Sequence, residues 1–241
     1  MTAMLDVDEH HWWYRGRRAI VDAELARIPL PTPARILDAG CGSGRMLEEL
    51  VRYGQVSGLE LDPRAAEVAR ARGHGEVQVA RLERLPWAEH SFDLITCLDV
   101  LEHTPDDRQT LTELRRVCAV GGWLLLTVPA YQALWSLHDE ANHHFRRYGR
   151  RALRQTSAEA GWRLERITSF NSVLLAPAAV IRLAQRGRRP DERYRPELER
   201  NPRWLNTLLE RPLQAEARWI GRGRTLPAGL SLMAVLQNPG P

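Results

Sequence analysis

The run Asp38-Ala39-Gly40-Cys41-Gly42-Ser43-Gly44 stands between a short apolar segment, Arg35-Ile36-Leu37, and an amphipathic one led by Met46 and Leu47. Glycines in a strand-to-helix turn let bare peptide amides approach a ligand that side chains would keep away. Dinucleotide-binding turns share that form, but they need a third small residue five positions after the first glycine, and Arg45 holds that position. Asp38 beside the turn would also repel a pyrophosphate, whereas it would attract an ammonium group. Glu60 ends a second apolar stretch, Gly58-Leu59-Glu60, 22 residues beyond Asp38. At that distance a strand-end carboxylate can accept both hydroxyls of a ribose. The pair of acids and the turn describe a site for a nucleoside with a positively charged tail.

Other residues could act on a second substrate. His103 follows the fourth apolar segment, where a site of this kind opens, and imidazole is the natural base for a hydroxyl near neutral pH. It is the candidate catalytic residue, with bracing of the following loop as the competing role. Asp99, Glu102 and His103 form a D-x-x-E-H cluster that suits Mg²⁺ or Mn²⁺, with His138, His143 and His144 able to complete it; the competing role is capping and loop hydrogen bonding. In the opening His11-Trp12-Trp13-Tyr14-Arg15-Gly16-Arg17-Arg18, Arg18 suits a carboxylate, while Trp13 and Tyr14 suit a ring or a cover against water. His143, His144 and Tyr148, within His143-His144-Phe145-Arg146-Arg147-Tyr148, suit a polar or anionic substrate or form a solvated basic turn.

The elements that must position these residues follow an alternating rhythm. Strands are predicted at Arg35–Leu37, Gln55–Leu61, Val77–Val79, Phe92–Leu98 and Trp123–Val128. Between them, Met46, Leu47, Leu50 and Val51 share a helix face closed by Gly54, and Asp62-Pro63 and Thr104-Pro105 open two further helices. Leu111, Leu114 and Val117 share a face of the last of these, which Gly121-Gly122 is expected to end. Strands separated by helices in this way give a parallel, doubly wound sheet. A helix is also predicted at His11–Ile28, before a connector of Pro29, Pro31 and Pro33. In the second half, Arg150–Ala160 reads as helix, Trp162–Ser169 as strand and Leu230–Leu236 as the last strand. The stretch of about 55 residues between those strands is too long for a plain loop and reads as inserted helices.

Composition excludes several classes. Of 241 residues, 44% are hydrophobic and 27% charged, enough for one sizeable core. The net charge of +4 is carried by arginine, but 30 acids oppose 34 bases, which disfavours a dedicated nucleic-acid binder. Three cysteines without C-x-x-C spacing read as reduced thiols, and Met1–His11 carries no secretory pattern, so the expected location is cytoplasmic. The longest apolar segment, Val173–Leu183, is too short to span a membrane, carries Pro177 and Arg182, and is expected to be core. The basic runs Arg186–Arg189 and Arg222–Arg224 read as solvated faces.

The ordered set Asp38–Gly44, Glu60-Leu61-Asp62-Pro63, Leu85-Pro86-Trp87, Ser91-Phe92-Asp93-Leu94-Ile95 and Leu101-Glu102-His103 resembles the successive motifs of class I S-adenosylmethionine-dependent methyltransferases, over roughly Arg35 to Pro129. The resemblance implies S-adenosyl-L-methionine as cofactor and S-adenosyl-L-homocysteine as product. It implies that Asp38, Gly40, Cys41 and Gly42 surround the methionine part, that Glu60 and Leu61 hold the ribose region, and that Leu98 and Arg18 belong to the same site. Family members often carry an aspartate where Arg81 stands, so adenine contact shifts to Leu82 and Glu83. Similar acid-and-histidine clusters hold a divalent ion in ubiquinone-pathway O-methyltransferases, which makes Asp99, Glu102 and His103 an alternative metal set.

The implied fold is a Rossmann-like, doubly wound, mostly parallel seven-stranded sheet with a helical cap inserted before the last strand. As one domain it parses into an N-terminal helical cover (1–33), a core (34–170), the cap (171–227) and a final strand (228–241). The expected activity is methylation of an oxygen or nitrogen on a small molecule, by a monomer or homodimer. The alternatives are a metal-assisted O-methyltransferase and a non-catalytic cofactor-binding module.

Overall fold

The structure, a computed structural model, describes residues 11–184 and 202–240, so the run Arg186–Arg189 and most of the N-terminal reading at Met1–His11 lie outside the described residues. The chain divides into two compact units. The first, here the sheet unit, comprises Pro29–Val128, Gly149–Ile167 and Met233–Pro241; the second, the helical unit, comprises Met1–Ile28, Pro129–Tyr148 and Thr168–Leu232.

The sheet and the helices beside it are β1 (Ala34–Ala39), α2 (Arg45–Leu50), β2 (Gly54–Glu60), α3 (Pro63–Ala71), β3 (Glu76–Val79), β4 (Phe92–Leu98), α4 (Asp107–Val117), β5 (Cys118–Pro129), α6 (Arg150–Glu159), β6 (Arg163–Phe170) and β7 (Ser231–Gln237), numbered in chain order together with the helices of the helical unit, to which Pro129, Thr168–Phe170 and Ser231–Leu232 belong. The seven strands lie in the order β3-β2-β1-β4-β5-β7-β6, and β3, β2, β1, β4 and β5 run parallel. The order reverses direction between β1 and β4, so the carboxyl ends of β1, β2 and β4 meet at a topological switch point. Ile36, Leu37, Leu94 and Ile95 are fully buried, as expected for central strands covered by helices on both faces.

Local chemistry explains most boundaries and corrects some. Asp62 caps α3 by accepting from the Arg64 amide at 2.8 Å, with Pro63 in the first turn. By contrast, Gly54 does not close α2; it begins β2, where a Cβ would stand 1.9 Å from the Ala34 carbonyl oxygen. Thr104-Pro105 does not open α4 either. Asp106 is the cap, accepting from the Gln109 amide at 2.9 Å, and Thr104 closes a short 3-10 turn, Leu101–His103, by donating to the Leu101 carbonyl. Nor do Gly121 and Gly122 end α4; β5 starts at Cys118 with an irregularity in its register against β4, and both glycines pair with Asn238.

The helical unit contains α1 (Trp12–Leu25), α5 (Leu137–Ala141), α7 (Leu175–Ala184) and α8 (Arg203–Gly221). Helices α1 and α8 pack so closely that a Cβ on Gly16 would stand 2.2 Å from Leu213 Cδ1. Ile20, Val21 and Leu25 on α1 and Leu213, Ala217 and Ile220 on α8 are buried, and Arg15 pairs with Glu210 at 3.1 Å. One expectation fails here. Helix α7 is not core: none of its described residues is buried, and Val180 and Ile181 are 69% and 57% exposed. Among the described residues no helix is long and apolar enough to cross a membrane.

Candidate active site

The turn after β1 is built from the backbone outward. The amides of Gly40 and Cys41 both donate to the Leu59 carbonyl of β2, at 2.8 and 2.9 Å, which pins the turn to the neighbouring strand. Gly40 has φ +89°, and a Cβ there would stand 2.5 Å from Val100; Gly44 has φ +82° and lies against Ala69 of α3. No other residue suits both conditions, so the sequence places glycine there.

Two acids frame the turn. Asp38, next to last in β1, is almost completely buried and accepts a hydrogen bond from Thr96 of β4 at 2.6 Å. Glu60, at the end of β2, accepts from the Gly42 amide at 2.8 Å through one oxygen and from the Leu61 and Asp62 amides at 2.8 and 2.9 Å through the other. Its carboxylate therefore holds the loop as well as facing whatever the loop holds. Each carboxylate oxygen has further acceptor capacity, so ribose hydroxyls remain compatible with these bonds. Burial, followed by the charges of Asp38 and Glu60, pushes the Cys41 thiol well above its usual range, so it is a packing group rather than a nucleophile.

The remaining predicted residues of the sheet unit differ in setting. Leu61 is 58% exposed, while Leu82 and Leu98 are buried. Arg81 is exposed and pairs with the half-buried Glu83 at 3.3 Å. His103 is exposed on the turn after β4, at the carboxyl edge that Asp38 and Glu60 also occupy, and its amide donates to the Val100 carbonyl.

Asp99, Glu102 and His103 do not assemble as a three-ligand set. Glu102 and His103 bring ligand atoms within 4.8 Å of each other. Asp99 has φ +57° and turns its carboxylate to the Thr127 hydroxyl at 3.0 Å. The donor types, two carboxylates and an imidazole, suit a hard cation.

The helical unit holds the other predicted residues. Trp13 stacks on Phe170 with centroids 5.8 Å apart and planes at 11°, and Tyr14 lies beneath the Arg17 guanidinium at 5.5 Å. Arg18 is half-buried on α1. His143 is exposed at φ +55°, whereas the adjacent His144 places Nδ1 2.9 Å from Asp139. Asp139, fully buried, also accepts from Arg147 Nε at 2.7 Å and from the Ser136 amide at 2.9 Å. Burial opposes its ionisation, but the bonds from His144 and Arg147 and the arginine's charge outweigh that and hold its carboxyl far below the usual range. Tyr148 is buried and its backbone pairs with Pro129 and Tyr131.

Sequence reasoning missed Thr96 and Asp139, and read Arg147 only within the run His143–Tyr148, as substrate contact or solvated basic turn. Thr96 left one signal, a hydroxyl within the otherwise apolar Ile95–Leu98 stretch, where a buried polar group must have a partner. Asp139 and Arg147 look like ordinary surface charges in the sequence and left none.

A family model described as a methyltransferase domain matches residues 37–126. The chain is similar to the ubiquinone biosynthesis O-methyltransferase of Thiobacillus denitrificans, 26% identical over 67% of this chain and 82% of that protein. Its similarity to the enzyme of the same name from Xanthomonas oryzae pv. oryzae is 36%, over 44% of this chain and 47% of that one, so the match spans just under half of that relative. An S-adenosylmethionine-dependent methyltransferase from Mesorhizobium loti superposes over 91% of this chain and 97% of its own, with a TM-score of 0.61 at 15% identity. A TehB-like methyltransferase from Corynebacterium glutamicum does so over 92% and 87%, with a TM-score of 0.56 at 18% identity. At such identities the two structures speak for the fold.

Proposed function

We propose that this chain, a class I S-adenosylmethionine-dependent methyltransferase, transfers the methyl group to an oxygen of a small-molecule acceptor. The observation that carries the reading is the switch point itself, where a loop of bare amides lies between a buried Asp38 and a Glu60 on the neighbouring strand. In this reading Asp38 faces the ammonium end of the cofactor, the Gly40–Gly44 turn follows its methionine part, and Glu60 accepts the ribose hydroxyls beside Leu61. Leu82 and Glu83 contact the adenine with Arg81 held aside, and Leu98 closes the floor. Oxygen is favoured as acceptor because the similar enzymes of Thiobacillus and Xanthomonas are O-methyltransferases by name.

The bound cofactor supplies an electrophilic methyl on a sulfonium. The protein's share is alignment and proton removal. Held by Asp38, the Gly40–Gly44 turn and Glu60, the cofactor would supply that methyl to the acceptor oxygen and keep the S–C electron pair on sulfur. The hydroxyl proton goes to His103, which the turn after β4 leaves exposed at the carboxyl edge.

Isothermal titration with S-adenosylhomocysteine tests the cofactor reading, and an absence of binding rejects it. His103→Ala is expected to lower turnover on the order of 100-fold with cofactor affinity retained. Unchanged turnover removes His103 from the mechanism.

A further inference from the structure

We infer that the outer face of α8 is a docking surface for an anionic lipid membrane. The helix has 19 residues and is about 28 Å long, and its two faces differ sharply. Leu213, Glu216, Ala217 and Ile220 are buried within the helical unit. On the opposite side Trp204, Leu208, Arg211, Ala215, Arg218 and Trp219 fall within an arc of about 100° at the helical period and are all exposed.

The chemistry of that stripe is specific. Trp204 is 68% exposed, Leu208 53% and Trp219 40%, and the Arg224 guanidinium lies 4.3 Å from the Trp219 ring. The helix has two acids, and neither is on the stripe. Glu210 is turned to Arg15, and Glu216 is buried, accepting from the amides of Asn171 and Ser172 at 2.6 and 2.8 Å. What remains outside is tryptophan, leucine and arginine with no negative charge. That combination is typical of helices lying in the plane of a bilayer interface, with rings at headgroup depth and guanidinium groups on phosphates.

A second observation comes from α7 in the same unit. Its run Leu175-Ala176-Pro177-Ala178-Ala179-Val180-Ile181 is uncharged, yet Ala176, Pro177, Val180 and Ile181 are exposed. Scattered single apolar residues need no explanation, but α7, like α8, presents several exposed apolar residues together on one helix.

Other occupants fit less well. The stripe carries no acid, so a second copy laid on it would offer Arg211 and Arg218 no counter-charge. A nucleic acid would satisfy the arginines but leave Leu208, Val180 and Ile181 without partners.

Sedimentation with vesicles tests the inference and uses the full chain without cofactor or acceptor, so its outcome is separate from the methyltransferase reading. The protein is expected to pellet with phosphatidylglycerol-containing vesicles, less so as salt rises, and weakly with pure phosphatidylcholine. The double variant Arg211→Glu with Arg218→Glu is expected to lower the bound fraction on the order of tenfold. Trp204→Ser should lower it severalfold, and both variants should keep the wild-type unfolding midpoint because the side chains are exposed. Wild-type protein that stays in the supernatant with anionic vesicles overturns the inference. So does a dimer in light scattering that the same substitutions dissolve, or retention of duplex DNA without retention of vesicles.

Discussion

Both units bury carboxylates, but they satisfy them differently. At the switch point of the sheet unit, Glu60 takes three backbone amides and Asp38 takes the Thr96 hydroxyl. The donors to Glu60 are neutral dipoles; they solvate its negative charge without cancelling it. In the helical unit Asp139 is held by Arg147 and His144, and its charge is compensated where it stands. The first arrangement keeps negative potential available to a cationic ligand, while the second spends it on fastening α5 to the segment after it. A carboxylate's donors thus indicate whether it serves binding or structure.

Breaking the compensated carboxylate should have the largest effect. Asp139→Ala leaves Arg147, itself almost completely buried, without its counterion, and is expected to cost about 3–5 kcal/mol of stability in a urea titration. A cost under about 1 kcal/mol would show that the network is not structural. The solvated carboxylate should respond in the opposite way. Glu60→Ala is expected to weaken S-adenosylhomocysteine binding on the order of 100-fold by titration calorimetry, about 2.7 kcal/mol, while stability moves by about 1 kcal/mol. Equal losses of stability in the two variants would erase the distinction. A smaller effect is expected for Thr96→Val, which removes the hydroxyl that Asp38 accepts from. Cofactor affinity should fall by about 1–2 kcal/mol, and an unchanged affinity would detach Asp38 from binding.

The same contrast explains what the sequence discloses. The switch-point site depends on short-range grammar: a glycine turn at the end of one strand, an acid at the end of the next, and a helix that Asp62 and Pro63 start. Each is a local necessity, so the fold and the turn were legible residue by residue. Boundary errors arose where distant backbone decided. Gly54 is required by Ala34 across the sheet, and Gly121-Gly122 pairs with Asn238 near the other end of the chain. Asp99 shows the limit for the site itself, since its type and spacing suit a metal while its carboxylate also accepts from Thr127 on the next strand, which the sequence does not disclose. In the helical unit nearly everything that matters is non-local. The sequence cannot show that α7 stays uncovered or that Glu216 reaches the backbone of Asn171.

His138 offers the mildest way to probe the compensated network, by titration rather than deletion. Burial, reinforced by the nearby positive charge of Arg182, lowers its pKa from 6.5 to about 4, with Asp139 pulling the other way and His144 and Arg147 adding to the depression. Asn142 has its side-chain nitrogen 3.2 Å from His138 Nε2, the arrangement of an amide donating to a neutral imidazole. Between pH 6.5 and about 4 the unfolded chain takes up a proton at this residue that the folded chain refuses. Stability contributed by the neutral ring is therefore fully present above pH 6.5, is lost as the pH falls toward 4, and changes little below that. From pH 7 to 5 the loss should be about 1–2 kcal/mol, read as a falling urea midpoint. His138→Gln should flatten the profile in this window. It should leave untouched the acid limb at lower pH, where the Asp139 carboxyl, held down by His144 and Arg147, finally protonates. A profile that keeps its slope between pH 7 and 5 in that variant would assign the titration to another group and separate His138 from the network.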